Sequence, residues 1–214
     1  MIFSLFKNKT FLLATAGLVV VGAFVLAWDK KVSVETTETG AATLPTGVGW
    51  HELPNTKLAS VCPPDQFGYN FQFYCASQGA VTGAWNGGIA DTRRNRLIVW
   101  GGGHGDYAGN EVYALDLGAL QMKRLNDPSP PDLSYSSSDR TSDGKANARH
   151  TYNGLAYIEH LDKMFVFGGS LWRGGGSMSD TWLLDLATLQ WEFVSGAGAG
   201  PEGYLQNSQA HYDP

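Results

Sequence analysis

The chain has 214 residues, enough for one good-sized domain, with 15 basic and 20 acidic residues and a net charge of -5. No basic cluster stands out, so nucleic acid is not expected as a partner. Glycine numbers 27 and aromatics make up 12% of the chain, a composition that suits an all-β protein with many turns.

The N-terminus reads as a targeting segment. Lys7 and Lys9 precede an uncharged run from Phe11 to Trp28, and Val25-Leu26-Ala27 offers small or branched residues where a signal peptidase reads. An uncharged run of about 18 residues sits at the lower edge of what spans a bilayer. Residues 1–28 are therefore expected to form a hydrophobic helix that is either a cleaved signal peptide or a retained membrane anchor. The basic residues lie mostly before the run, which keeps the N-terminus cytoplasmic. The remainder is exported in both cases: periplasmic, extracellular or anchored on the outer side of the cytoplasmic membrane. Contact with the membrane is expected only through this segment. Residues 29–49, rich in Thr, Gly, Ala and Glu without a period, read as a flexible linker.

Residues 50–82 come next. Trp50 to Leu58 looks like a strand and turn. Cys62 and Cys75 are the only two cysteines, and an even count in an exported chain predicts a disulfide. Closing a loop of that length contributes about 3 kcal/mol in the chain-entropy picture. A two-cysteine metal site is the alternative, but no histidine lies nearby in sequence.

Residues 83–214 carry a repeat. In the first copy, Leu97 to Trp100 run into Gly101-Gly102-Gly103, and a second apolar run ends on Asp116-Leu117. In the second copy, Val166-Phe167 run into Gly168-Gly169, and Leu184-Asp185-Leu186 precede Trp191. The copies are offset by about 67 residues at the glycines and about 69 at the aspartates, a spacing typical of repeat architectures. Short apolar runs bounded by glycine read as strands covered on both faces. Asp116 and Asp185 sit where an aspartate bonds backbone amides two residues on and closes a turn. Strand candidates at Gly88 to Asp91 and Gly154 to Ile158 bring each copy to four short antiparallel strands. The copies span 83–131 and 147–203. Between them, 126–147 is a proline- and serine-rich loop long enough to be functional or disordered, and residues 204–214 look like the start of a third copy.

This combination resembles the kelch repeat, the blade of one class of β-propeller, in the galactose oxidase/kelch-like superfamily. The features that carry the resemblance are Gly101-Gly102 and Gly168-Gly169, the aromatics Tyr113 and Trp182 before the turns, the Asp-Leu pairs and Trp191. Met122 stands where the second copy has Trp191, so the first copy departs from the pattern. The resemblance implies about two blades plus the start of a third. Because a propeller closes with about four to eight blades, it also implies a piece of a longer protein, the alternative being a half-propeller closed by oligomerisation.

In a four-stranded meander the loops after the second and fourth strands emerge on one side. Function is expected on that long-loop face. It carries His104, Asp106 and Tyr107, then Arg149 and His150 at the opening of an inner strand, Trp172 and Arg173 between glycines, and Asp139 with Arg140. His104 and Asp106 are candidates for an oriented acid/base pair, with bonding of the loop backbone as the alternative. Tyr107 is a candidate proton donor or sugar platform, with packing as the alternative. Arg149 is a candidate for reading a carboxylate, with a structural bond as the alternative. Trp172 and Arg173 look like an exposed recognition tip, and the alternative for Trp172 is to cover a sheet face.

No cofactor or metal is expected: 139–145 lacks the spacing of a calcium loop, the glycine-rich SLWRGGGS is not a phosphate loop, and no serine or cysteine nucleophile motif occurs. Three readings follow. The first is an exported binding scaffold for a glycan, peptide or protein. The second is a carbohydrate-active enzyme on the same scaffold, lyase-like through His104, Tyr107, Arg149 and His150, or less well a copper-radical oxidase. The third is a structural assembly module. A convergence of His104 with His150 discriminates the enzyme.

Overall fold

In the computed structural model, residues 43–134, 138–196 and 208–214 are described. Every described residue belongs to one compact unit, 41–214. The hydrophobic segment 1–28, most of the linker and the connection 197–207 lie outside the described residues. Among the described residues no helix is long and apolar enough to cross a membrane.

The described part is all-β, with short helical turns and ten strands. Along the chain these are β1 (Gly87–Asp91), β2 (Arg96–Trp100), β3 (Tyr113–Asp116), β4 (Gln121–Arg124), β5 (Arg149–His150), β6 (Leu155–Ile158), β7 (Lys163–Phe167), β8 (Ser170–Leu171), β9 (Thr181–Asp185) and β10 (Trp191–Ser195). Two four-stranded sheets, β1-β2-β3-β4 and β6-β7-β9-β10, are antiparallel throughout, and β5 pairs with β8 as a separate ribbon. The first strands of the two sheets, β1 and β6, lie against one another.

Period-two alternation decides which residues face the joint core. In β7, Met164 and Val166 are buried while Lys163, Phe165 and Phe167 are partly exposed. Ile98, Trp100, Ala114, Met164, Val166, Trp182 and Leu184 form one cluster between the sheets, with Trp191 packed against it. The Trp191 ring lies 4.8 Å from that of Trp100 and 6.2 Å from that of Trp182. Burial of each aliphatic member contributes about 1.5–3 kcal/mol.

The opposite face of the first sheet packs Tyr113 and Met122, with Val99 and Leu115, onto Leu58, Phe71, Cys75, Ala80 and Val81. That segment is closed by the Cys62–Cys75 disulfide, whose Cα atoms are 5.9 Å apart. The first sheet is thus covered on both faces, whereas the second is not. Its outer residues Phe165, Phe167 and Ile158 stay partly exposed and line a hollow shared with residues 209–212.

The tight turns are built by aspartates. Asp116 Oδ1 accepts from the amides of Gly118 and Ala119 at 3.0 and 2.9 Å, and Asp185 Oδ1 accepts from Ala187 and Thr188 at 3.0 and 2.7 Å. At the end where β1 turns into β2, Arg94 donates to Asp91 at 3.1 Å and to Asp162 at 2.8 Å, which ties the sheets together.

Two sequence expectations are corrected here. Trp50 to Leu58 forms no strand: Pro54 has no N–H and Asn55 takes φ 62, and the segment meets the first sheet through the Met122 amide, which donates to the Asn55 carbonyl at 3.0 Å. Arg149 and His150 do not open an inner strand. A turn closed by the Gly154 amide on the Thr151 carbonyl at 2.9 Å, with Tyr152 at φ 47, separates them from β6.

Candidate functional site

The two glycine clusters let the chain pass between them. β5 threads between the loop after β2 and the loop after β7. Gly103, at φ 81, would place a Cβ 3.0 Å from the His150 amide nitrogen, and a Cβ on Gly169, at φ 96, would collide with the His150 carbonyl oxygen. Both positions need the left-handed backbone and both lack room for a side chain. The His150 backbone is therefore clamped from two sides, and its ring is delivered onto the first repeat.

Asn86 completes the clamp. Its Nδ2 donates to the carbonyls of Ala80, Val81 and Gly102 at 3.1, 3.1 and 3.2 Å, and its Oδ1 accepts from the Thr151 amide at 3.2 Å. Thr151 Oγ1 in turn accepts from the Gly87 amide at 2.8 Å and donates to the Trp100 carbonyl at 3.3 Å.

Held this way, His104 and His150 come together. Their ring centroids are 6.2 Å apart, and Trp85 stands against both, at 5.2 and 5.1 Å. Tyr152 lies 6.1 Å from His150, and its amide donates to the Trp85 carbonyl at 2.7 Å. Trp85 is 56% exposed and takes φ 57. A bulky residue adopts that backbone only where its surroundings impose it. Burial, with the neighbouring His104 as a second cause, holds the His150 imidazole below its ordinary range. His150 is therefore neutral at pH 7, and its Nε2 has no hydrogen-bond partner among the described residues. Two imidazoles supply only half of a four-ligand zinc shell, and no three metal-ligating side chains cluster among the described residues.

Asp106 is not the partner of His104. Gly105 and Asp106 are both left-handed, at φ 63 and 62, so the side chains at 104 and 106 diverge. Asp106 lines a different hollow of about 260 Å3 with Tyr69, Tyr74, Leu133, Trp172 and Arg173. Tyr107 is fully buried and cannot meet a ligand. Its hydroxyl donates to Glu111 Oε1, as does that of Tyr113 at 2.6 Å. Burial pushes the Glu111 carboxyl up, against the two phenols that pull it down.

Arg149 is also buried. It donates to Asp180 Oδ1 at 2.6 Å and to the carbonyls of Asn147, Gly168 and Asp139 at 3.0, 3.1 and 2.9 Å. It fastens the loops and is not presented to a ligand. Trp172, 5% exposed, is no projecting tip; it packs on Ala108 and Ala148. Arg173 stays half-buried, its guanidinium 5.7 Å from the Trp172 ring. Asp139 and Arg140 pair with each other at 3.0 Å, and Arg140 lies 4.1 Å over the Phe193 ring.

The sequence reading missed Trp85, Asn86, Tyr69, Tyr74, Tyr152 and Glu111. Of these only Trp85, a tryptophan directly before Asn-Gly-Gly, carries a local signal of an exposed aromatic. Two hollows, of about 430 and about 500 Å3, lie where residues 209–212 pass β6. No family model matches the chain, and no curated protein matches it.

Proposed function

We propose that the chain is part of an exported kelch-type β-propeller whose loop face is a binding scaffold, and that its ligand is a glycan. Trp85 carries this reading. A tryptophan more than half exposed, fixed by its backbone and rimmed by two imidazoles and a tyrosine, presents an apolar face with hydrogen-bonding groups around it. A sugar ring has the matching form, with C–H groups on a face and hydroxyls at the rim. Two meanders of one plan, with their long loops on one side, support the propeller. The half-covered outer face of the second sheet is where a further repeat would pack. The disulfide supports an oxidising compartment.

The lyase-like alternative has less support, because Tyr107 and Arg149 are spent on internal bonds and only the histidines reach the surface. The copper-radical alternative would need a cysteine thiol, and both cysteines are joined to each other.

Binding of neutral and acidic oligosaccharides to the full chain, followed by tryptophan fluorescence, tests the reading. Trp85→Ala is expected to weaken binding at least about tenfold, or ~1.4 kcal/mol. Absence of binding to every glycan rejects the reading. Unsaturated sugar products, seen by ultraviolet absorbance and abolished by His104→Ala with His150→Ala, would replace it with the lyase.

A further inference from the structure

The turn that presents His104 is held from outside its own repeat. Within it, the Asp106 amide donates to the Gly103 carbonyl at 3.0 Å and the Gly103 amide to the Tyr107 carbonyl at 2.8 Å. Gly105 and Asp106 both take the left-handed backbone, at φ 63 and 62. For an aspartate that conformation is uncommon and is kept by its surroundings. No hydrogen bond among the described residues fixes the His104 ring, which meets Trp85 and His150 through ring contacts. The ring therefore goes where the turn goes.

The outside hold is one hydroxyl. Tyr69 Oη donates to the Asp106 carbonyl at 2.6 Å and accepts from the Ala108 amide at 3.1 Å, which bridges the exit of the turn. Burial pushes this hydroxyl above its ordinary range, so it stays a donor. Tyr69 comes from the loop closed by the Cys62–Cys75 disulfide, on a hairpin in which Gln66 and Tyr69 exchange backbone bonds at 3.3 and 2.9 Å. The ring is wedged on several sides: Tyr74 stacks on it at 5.1 Å, and Phe71 and Trp172 meet it edge-on at 4.8 and 6.1 Å. Packing sets where the ring lies, and the ring sets where the hydroxyl points.

We infer that Tyr69 is a positioning residue for the Trp85 cluster: its hydroxyl, delivered by the disulfide loop, sets where His104 stands against Trp85 and His150. The inference rests on the glycan reading for its ligand and deepens it by adding to the site a residue that acts through His104.

The test uses Tyr69→Phe, which keeps the wedged ring and deletes both bonds, with one readout that needs no ligand. His104 and Tyr152 are the titratable groups whose rings stand against His150 among the described residues, and His104 is one cause of the lowered His150 pKa. In nuclear magnetic resonance titration of the full chain, Tyr69→Phe should raise the His150 midpoint toward that of His104→Ala, because a released His104 no longer stands beside it. In the His104→Ala background the same substitution should change nothing, a coupling that a residue supporting only the fold would not show. The second readout is calorimetric titration with chitotriose, maltotriose and trigalacturonate. Whichever binds should bind about three- to tenfold more weakly to Tyr69→Phe, the effect of one hydrogen bond, and no more weakly to the double variant than to His104→Ala. A His150 midpoint unmoved by Tyr69→Phe overturns the inference. So does a shift, or a loss of binding, of the same size with and without His104. A midpoint that moves as expected in a chain that binds none of the sugars supports the role of Tyr69 and rejects the glycan reading alone.

Discussion

Arg149→Met is the substitution that most sharply separates support of the fold from contact with a ligand. Methionine keeps the length and removes the charge. Asp180, fully buried, would lose the 2.6 Å bond from Arg149 and, among the described residues, keep that from Trp182 Nε1 at 2.5 Å. The carbonyls of Asn147, Gly168 and Asp139 would lose a donor each. Breaking a buried pair by removing one partner costs about 3–5 kcal/mol. At roughly 2–4 °C per kcal/mol for a domain of this size, melting should fall by about 6–20 °C. Thermal unfolding of the full chain by near-ultraviolet circular dichroism reads this directly. Adding Asp180→Leu removes the stranded carboxylate and should recover at least half of the loss, a coupling that independent sites would not show. A fall under about 3 °C, or a double variant no better than the single one, would refute the reasoning. Unchanged melting with weakened glycan binding would return Arg149 to the ligand.

Three further outcomes are expected. The double variant Cys62→Ser, Cys75→Ser should lose about 3 kcal/mol by denaturant titration, and glycan binding should weaken with it, because Tyr69 and Tyr74 lie between the two cysteines. The Arg94 hydrogen bonds hold the Asp162 carboxyl down to about 2; its contribution is present above the unfolded value of about 3.9 and fades as pH falls through about 2. Solvent limits that contribution to about 1 kcal/mol, and Asp162→Asn should flatten the acid limb of stability between about pH 4 and 2. His150 has a lowered pKa, so the stability it contributes is present above the unfolded value of about 6.5 and is lost as pH falls from there to the folded value. Nuclear magnetic resonance titration should find its midpoint below 6.5, rising in His104→Ala as the neighbouring charge is removed.

The strands β2, β7 and β9 are written locally, because each is a short apolar run whose ends are marked by glycine or aspartate. The turns at Asp116 and Asp185 are equally local, since an aspartate and the amides two and three residues ahead suffice to make them. β5 is not. A strand of two residues has no period to read, and it forms only because Gly103 and Gly169, more than sixty residues apart in sequence, leave space for one backbone. Glu111 reads as part of a polar loop; its burial depends on Tyr107 and Tyr113 meeting the same oxygen. Arg149 and Trp172 look exposed beside small and polar neighbours, yet Asp180, Ala108 and Ala148 take them inside. His104 stands out in a glycine-rich loop, and His150 stands out beside Arg149 after a long loop. Trp85 and Asn86 precede the first strand in a segment without pattern, and what they do is visible only once the second repeat lies against them.

The clamp on His150 makes the boundary between repeats the unit that matters. Trp85 and His104 come from one repeat and His150 from the next, so neither repeat owns the cluster. Duplication of a single meander would copy half of each of two clusters. Inheritance of an intact cluster requires that the copied segment begin before Trp85 and end after Thr151, out of phase with the sheets themselves.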